Sequence, residues 1–155
     1  MTYLTSHSRF RGITAVAFLS ILFSSATVFA DPVISEFMTD NSSSITDEDG
    51  DQSDWIELHN PSATPADLNG WILTDNPDDL SKWTFPAISI EPGGFLVIFA
   101  SGKDRRNPES ELHTNFSLRS SGEYLALVRP DGTTIEQEFD YPRQDRDRSF
   151  GLAFT

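Results

Sequence analysis

Four aspartates, Asp47, Asp49, Asp51 and Asp54, stand within eight positions of sequence around Gly50, with Glu48 among them. Closely spaced carboxylates on a flexible, glycine-containing loop have the chemistry of a calcium site, because calcium takes about six to eight oxygen ligands. The EF-hand register excludes that particular loop. With Gly50 at its sixth position, Asp47, Asp49 and Asp51 fall on ligand positions, but Ile45 and Ile56 occupy the first and last, where acids are required. What remains is a different calcium site on Asp47, Asp49, Asp51 and Asp54, completed by backbone carbonyls and water. Against it stands a solvated acidic loop whose Asx turns launch the next strand.

Other chemistries find less to work with. A glycoside hydrolase needs two carboxylates flanking the sugar. Asp54, Glu57, Glu36 and Asp75 are available, yet nothing in the sequence marks one as buried with a raised pKa. The chain has no cysteine, which removes thiol catalysis and cysteine-bound metals. Beyond the N-terminal segment only His59 and His113 remain, far apart in sequence and too few for a histidine-rich zinc site. No G-x-S-x-G elbow precedes a helix, so a nucleophilic serine has no framework. The expectation is no catalytic residue, and no cofactor unless the acidic loop holds calcium. Trp55, Trp71 and Trp83 could stack on sugar rings, but large aromatic side chains at alternating strand positions belong to a core. Lys103, Arg105 and Arg106 are read as balancing nearby acids.

The elements that must position these groups are strands. Short apolar alternations separated by turn-rich clusters recur along the chain, and no stretch keeps a 3.6-residue apolar period. The expected strands cover 33–39, 54–60, 71–75, 82–86, 95–100, 123–129 and 133–139. Three Trp and twelve Phe give such strands an aromatic interior to share. An all-β, immunoglobulin-like β-sandwich is the architecture that buries them. In "DWIELHN", Ile56 and Leu58 point to one face while Trp55, Glu57 and His59 point to the other. "FLVIFA" is apolar on both faces and reads as a central, doubly covered strand. Pro92-Gly93-Gly94 reads as a tight turn and Asp131-Gly132 as a hairpin. The C-terminal "RQDRDRSFGLAFT" either adds an edge strand or belongs to a longer protein.

The N-terminus reads as an export signal. Arg9 and Arg11 precede an apolar run over 13–23, and "VFA" at 28–30 fits a small-x-small cleavage site. The apolar run falls short of the roughly 20 residues needed to span a bilayer. Residues 1–30 are therefore expected to be a cleaved signal and 31–155 one domain, without stable membrane insertion afterwards. The signal carries two of the 11 Lys and Arg and none of the 24 Asp and Glu, leaving 9 against 24 and a net charge of −15. That balance opposes nucleic acid and anionic membrane surfaces as partners.

The motifs "VISEFM", "DWIELHNPS", "DLNGWILTD", "WTFP", "EPGGFLVIFASG", "FSLRSSGEYLALVRPDG" and "DYPR…DRSFG" follow one another in an order that resembles lamin-tail domains, particularly the bacterial exported kind. The resemblance runs from about Val33 to Gly151. It implies an immunoglobulin-like sandwich acting as a non-catalytic interaction module, of the sort found as an accessory to exported hydrolases and nucleases. The coiled-coil rod, basic import run and prenylation box of nuclear lamins have no counterpart, so filament assembly and nuclear location are not implied. The sequence thus points to an exported (secreted, periplasmic or cell-surface), non-catalytic binding or adhesion module meeting a protein or glycan partner through loops or a sheet edge. Beside it stand a calcium-stabilised structural domain and an accessory fragment of a larger exported hydrolase.

Overall fold

A computed structural model of the chain describes residues 31–152. The expected signal at 1–30 lies outside the described residues. Eleven strands are found among them, in two facing sheets and one small ribbon: β1 (Val33–Met38), β2 (Asp54–His59), β3 (Ala66–Asp67), β4 (Ile72–Thr74), β5 (Trp83–Thr84), β6 (Ser89–Ile90), β7 (Phe95–Ala100), β8 (Leu112–His113), β9 (Gly122–Val128), β10 (Ile135–Pro142) and β11 (Phe150–Gly151). One sheet runs β11-β1-β2-β7-β8, the other β10-β9-β4-β5, and β3 pairs with β6. The architecture is an immunoglobulin-like β-sandwich. No helix among the described residues is long and apolar enough to cross a membrane.

The alternation of the strands explains the layering. Ile34 and Phe37 of β1, Ile56 and Leu58 of β2 and Ile98 of β7 meet Leu73, Trp83, Leu125, Leu127 and Tyr141 of the second sheet in one buried cluster. Trp71 and Trp83 are part of it, as their packing role predicted. A smaller cluster of Met38, Trp55 and Phe99 lies apart from this interior. By strand parity it sits on the outer face of the five-stranded sheet, where Trp55 is still only 8 % exposed because loops cover it.

The seven expected strands are all present, and β7 coincides residue for residue with its expected span. The four additional strands, β3, β6, β8 and β11, have two residues each, too short for any alternation to register. The C-terminal stretch forms an edge strand: Phe150 pairs with Phe37, and the Phe150 ring packs 5.3 Å from that of Phe37. The reading of "FLVIFA" as doubly covered holds for half the strand. Ile98, Phe99 and Ala100 are buried, whereas Phe95 is 57 % exposed. The reason is that β8 pairs with β7 only at Ile98 and Phe99, which leaves 95–97 without a partner strand on that side.

The turns follow their residues. Gly93 has a φ of 68°, and the Gly94 amide donates to the Glu91 carbonyl at 2.8 Å. The fully buried Asn60 holds that corner from inside, its Nδ2 donating to the carbonyls of Thr64 at 2.8 Å and Ile90 at 2.9 Å. Asp131-Gly132 closes the hairpin between β9 and β10, and Asp131 Oδ1 accepts from the amides of Thr133 and Thr134.

Candidate functional site

The loop over 40–53 is laid on the outer face of the five-stranded sheet and fixed at both ends. Asn41 Nδ2 donates to the carbonyls of Ile45 at 2.7 Å and Ser53 at 2.8 Å, which ties the loop across its neck. Trp55 Nε1 reaches Ser44 Oγ at 3.3 Å, so the loop roofs the outer tryptophan. From the far end of the chain Asp147, in a left-handed conformation with φ 55°, accepts from the amides of Ser42 at 2.7 Å and Ser43 at 2.9 Å. Those bonds, with the Ser42 hydroxyl first among them, hold its carboxyl down at about 2.

At the loop's tip, Asp47 is buried and its carboxylate is fully engaged. Oδ1 accepts from the amides of Asp49 at 3.1 Å and Asp51 at 3.0 Å, and Oδ2 accepts from Ser53 Oγ at 3.0 Å. Gly50 makes the turn possible, with a φ of 84° that a side chain would resist. Asp47, Asp49 and Asp51 thereby offer one oxygen each within 4.8 Å of one another.

A cation from the opposite loop lies among them. Lys103 Nζ is 2.6 Å from Asp47, 2.7 Å from Asp49 and 2.9 Å from Asp51. Arg105 adds a second layer, with contacts of 2.7 Å to both Glu48 and Asp49. Burial alone would push the Asp47 carboxyl up, but the Lys103 ammonium and the loop amides outweigh it and hold the group near 2. The same contest raises Lys103: burial works against its charge, and the bonds to the three aspartates prevail. Lys103 and Arg105 thus balance local acids as their composition suggested, while Arg106 pairs with Asp104.

Asp54 does not join this group. It opens β2 on the inward side, by the same alternation that buries Ile56 and Leu58, and accepts the Asn41 amide at 3.2 Å. Burial, against that one hydrogen bond, pushes its carboxyl up to about 6. An acid with a raised pKa is therefore present. The other acids considered for sugar chemistry are separated by role. Asp75 is paired with Lys82, while Glu36 and Glu57 are cross-strand partners on β1 and β2.

A serine and a histidine also meet here without sequence warning. Ser101 Oγ lies 2.9 Å from His113 Nδ1. His113 is completely buried, its ring stacked on Phe99 at 5.3 Å, and its Nε2 has no hydrogen-bond partner among the described residues. Burial lowers its pKa and keeps the ring neutral. The pair pins β8 beside the end of β7.

Farther along the outer face lies a groove lined by Ser35, Glu36, Glu57, Phe95, Ser149, Gly151 and Leu152. Phe95 stands on its rim with its ring stacked 4.3 Å from that of His59, and Leu152 on the other side is 41 % exposed. Ser35 Oγ donates to Glu57 Oε1 at 2.6 Å. Neither Glu36 nor Glu57 is ion-paired with a Lys or Arg among the described residues, and Lys82, Lys103, Arg105, Arg106, Arg119, Arg129 and Arg146 are paired with other acids.

With this geometry in place, comparison with known proteins is decisive for the family. The sequence matches the Lamin Tail Domain family over residues 25–142, more than half of the chain. The chain belongs to that family. Lamin-tail domains are immunoglobulin-like and of non-catalytic type, in agreement with the sandwich. No curated protein matches the chain. The family match ends at residue 142, so Asp147 and β11, which brace the acidic loop and wall the groove, lie beyond the matched part of this lamin-tail domain.

Proposed function

We propose that this lamin-tail domain is an exported, non-catalytic binding module that holds a protein partner by a basic segment seated on the outer face of the five-stranded sheet. The observation that carries this reading is the groove between Phe95 and Leu152, in which two carboxylates without cations adjoin two exposed apolar side chains. A chain bearing Lys or Arg next to an apolar residue complements both features, and the unpaired edge of β7 beside Phe95 offers main-chain groups to an extended segment. The strongly acidic balance of the chain favours the same class of partner. Export is supported by the basic and apolar N-terminal pattern ending at Ala30.

The test is a titration of the protein with a labelled peptide of alternating lysine and leucine, at physiological salt so that diffuse attraction is screened. Binding should weaken about tenfold in Glu57→Gln and in Phe95→Ser, a loss of about 1.4 kcal/mol, while exposed Glu109→Gln leaves it unchanged. Equal binding of a lysine and serine peptide, or indifference to both groove variants, would refute the assignment of the groove. Binding of an uncharged oligosaccharide in place of the peptide would shift the partner class to glycans. Export is checked separately by the N-terminus of the protein recovered outside the cytoplasm, expected at Asp31.

A further inference from the structure

The three-aspartate cup has what a cation site needs. Three carboxylate oxygens converge within 4.8 Å, and Asp47 is fixed from behind by two amides and a hydroxyl. That space is taken by the protein itself. An ammonium has three N–H donors, and Lys103 Nζ lies between 2.6 and 2.9 Å from an oxygen of each of the three aspartates.

We infer that Lys103 is the resident cation of this cup, a tethered ammonium in the place of a divalent ion, so that the native loop is ordered without metal and becomes a calcium site only when the ammonium is removed. Two cations would compete for the same three oxygens, and like charges a few ångströms apart repel. Entry of calcium would require Lys103 to leave, and would leave Arg105 against Asp49, one of the three carboxylates the ion needs. Asp54, the fourth aspartate of the run, cannot complete the shell because it faces inward and is held by the Asn41 amide. The tether also has a mechanical consequence. It joins the tip of the 40–53 loop to the 101–111 segment between β7 and β8, so the two move as one rim over Trp55 and Phe99.

Thermal unfolding in millimolar calcium and in chelator, at matched ionic strength, tests this directly. The native protein should give coincident curves. Lys103→Met should unfold at lower temperature and recover by ~2–4 °C or more with calcium, and Lys103→Met combined with Asp51→Asn should not recover. A calcium-dependent rise in the native protein that Asp51→Asn abolishes would overturn the inference, as would a Lys103→Met protein that ignores calcium. Should the variant fail to fold, nitrogen-15 NMR of the native lysine ammonium groups decides. The Lys103 ammonium is expected as a slowly exchanging signal unmoved by calcium, and a signal exchanging as fast as that of a solvated lysine refutes the tether.

Discussion

The Lys103 ammonium lies 2.6 Å from the Asp47 carboxylate across 56 residues of sequence, and it is the most buried of the ion pairs that join the 40–53 loop to the segment between β7 and β8. The Asp47 side chain has no exposed surface while that of Lys103 keeps about a fifth of its own, so the charge left behind differs by partner. Asp47→Ala removes the ion pair, both amide caps and the Ser53 bond together. A loss of about 2–3 kcal/mol is expected by urea unfolding, near the lower end for breaking a buried pair because the lysine can turn to solvent.

The same carboxylate predicts an acid limb. Asp47 is depressed to about 2 from an ordinary value of 3.8, so the native state binds its proton less readily than the unfolded chain does. The resulting stability is fully present above pH ~4 and is lost as pH falls toward 2. The difference in urea midpoint between the native protein and Asp47→Asn should therefore be constant from pH 5 to 7 and shrink below pH ~4. A gap that stays unchanged down to pH ~2 would show that hydrogen bonding rather than charge holds the loop.

Asp54 has the opposite sign. Its carboxyl is raised from 3.8 to about 6, so the native state holds the proton more tightly than the unfolded chain. Ionisation costs stability between those two values, and the penalty is complete above pH ~6. Asp54→Asn keeps an oxygen to accept the Asn41 amide and removes the charge. It should raise the urea midpoint at pH 7–8, with the advantage fading as pH falls from about 6 and gone below about 4. Equal stabilities of the two proteins at pH 8 would mean that water reaches the carboxylate.

How much of this was legible follows from separation along the chain. The strands over 33–38, 54–59 and 95–100 announce themselves because alternation is local, and so does Asp131-Gly132, whose turn needs only its own residues. Even the burial of Asp54 was within reach, since it shares strand parity with Ile56 and Leu58. The grouping of Asp47, Asp49 and Asp51 was legible too, but its cation was not. Lys103 is chosen by how β7 and β8 place the second loop, and nothing in the acidic run specifies that. The same holds for Asp147 with Ser42, and for β11 with β1, which unite distant ends of the chain through two or three bonds each. His113 beside Ser101 depends on a two-residue strand that no pattern reveals.

Trp83 and Trp55 should separate the interior from the outer face. Trp83 is fully buried among residues of the main cluster, and Trp83→Ala is expected to cost ~3–5 kcal/mol and to lower the stability of every strand together. Trp55 packs with Met38 and Phe99 under the 40–53 loop. Trp55→Ala should cost less and act locally, speeding amide exchange in that loop while the β9 and β10 amides keep their native protection. Uniform loss of protection in both variants would place Trp55 in the same cooperative unit as the interior.

Gly122 offers a test of backbone placement that involves no charge. It begins β9 with a φ of 104°, outside the range that side chains adopt readily, and a Cβ built there would sit 2.9 Å from the Tyr141 carbonyl and 3.3 Å from the Arg143 amide. Both neighbours are backbone of the β9 and β10 pairing, where Pro142 lies opposite Gly122, so neither can yield without opening the ladder. Gly132 also has a positive φ, of 71°, but its Cβ position faces open space. Gly132→Ala should therefore carry the conformational cost alone, about 1 kcal/mol, whereas Gly122→Ala adds the clash and should reach about 2–4 kcal/mol. Because Tyr141 packs on Phe37 in the core, the second variant should also disturb near-ultraviolet circular dichroism, and the first should leave it unchanged. Equal costs for the two alanines would mean that β10 ends before Pro142 in solution.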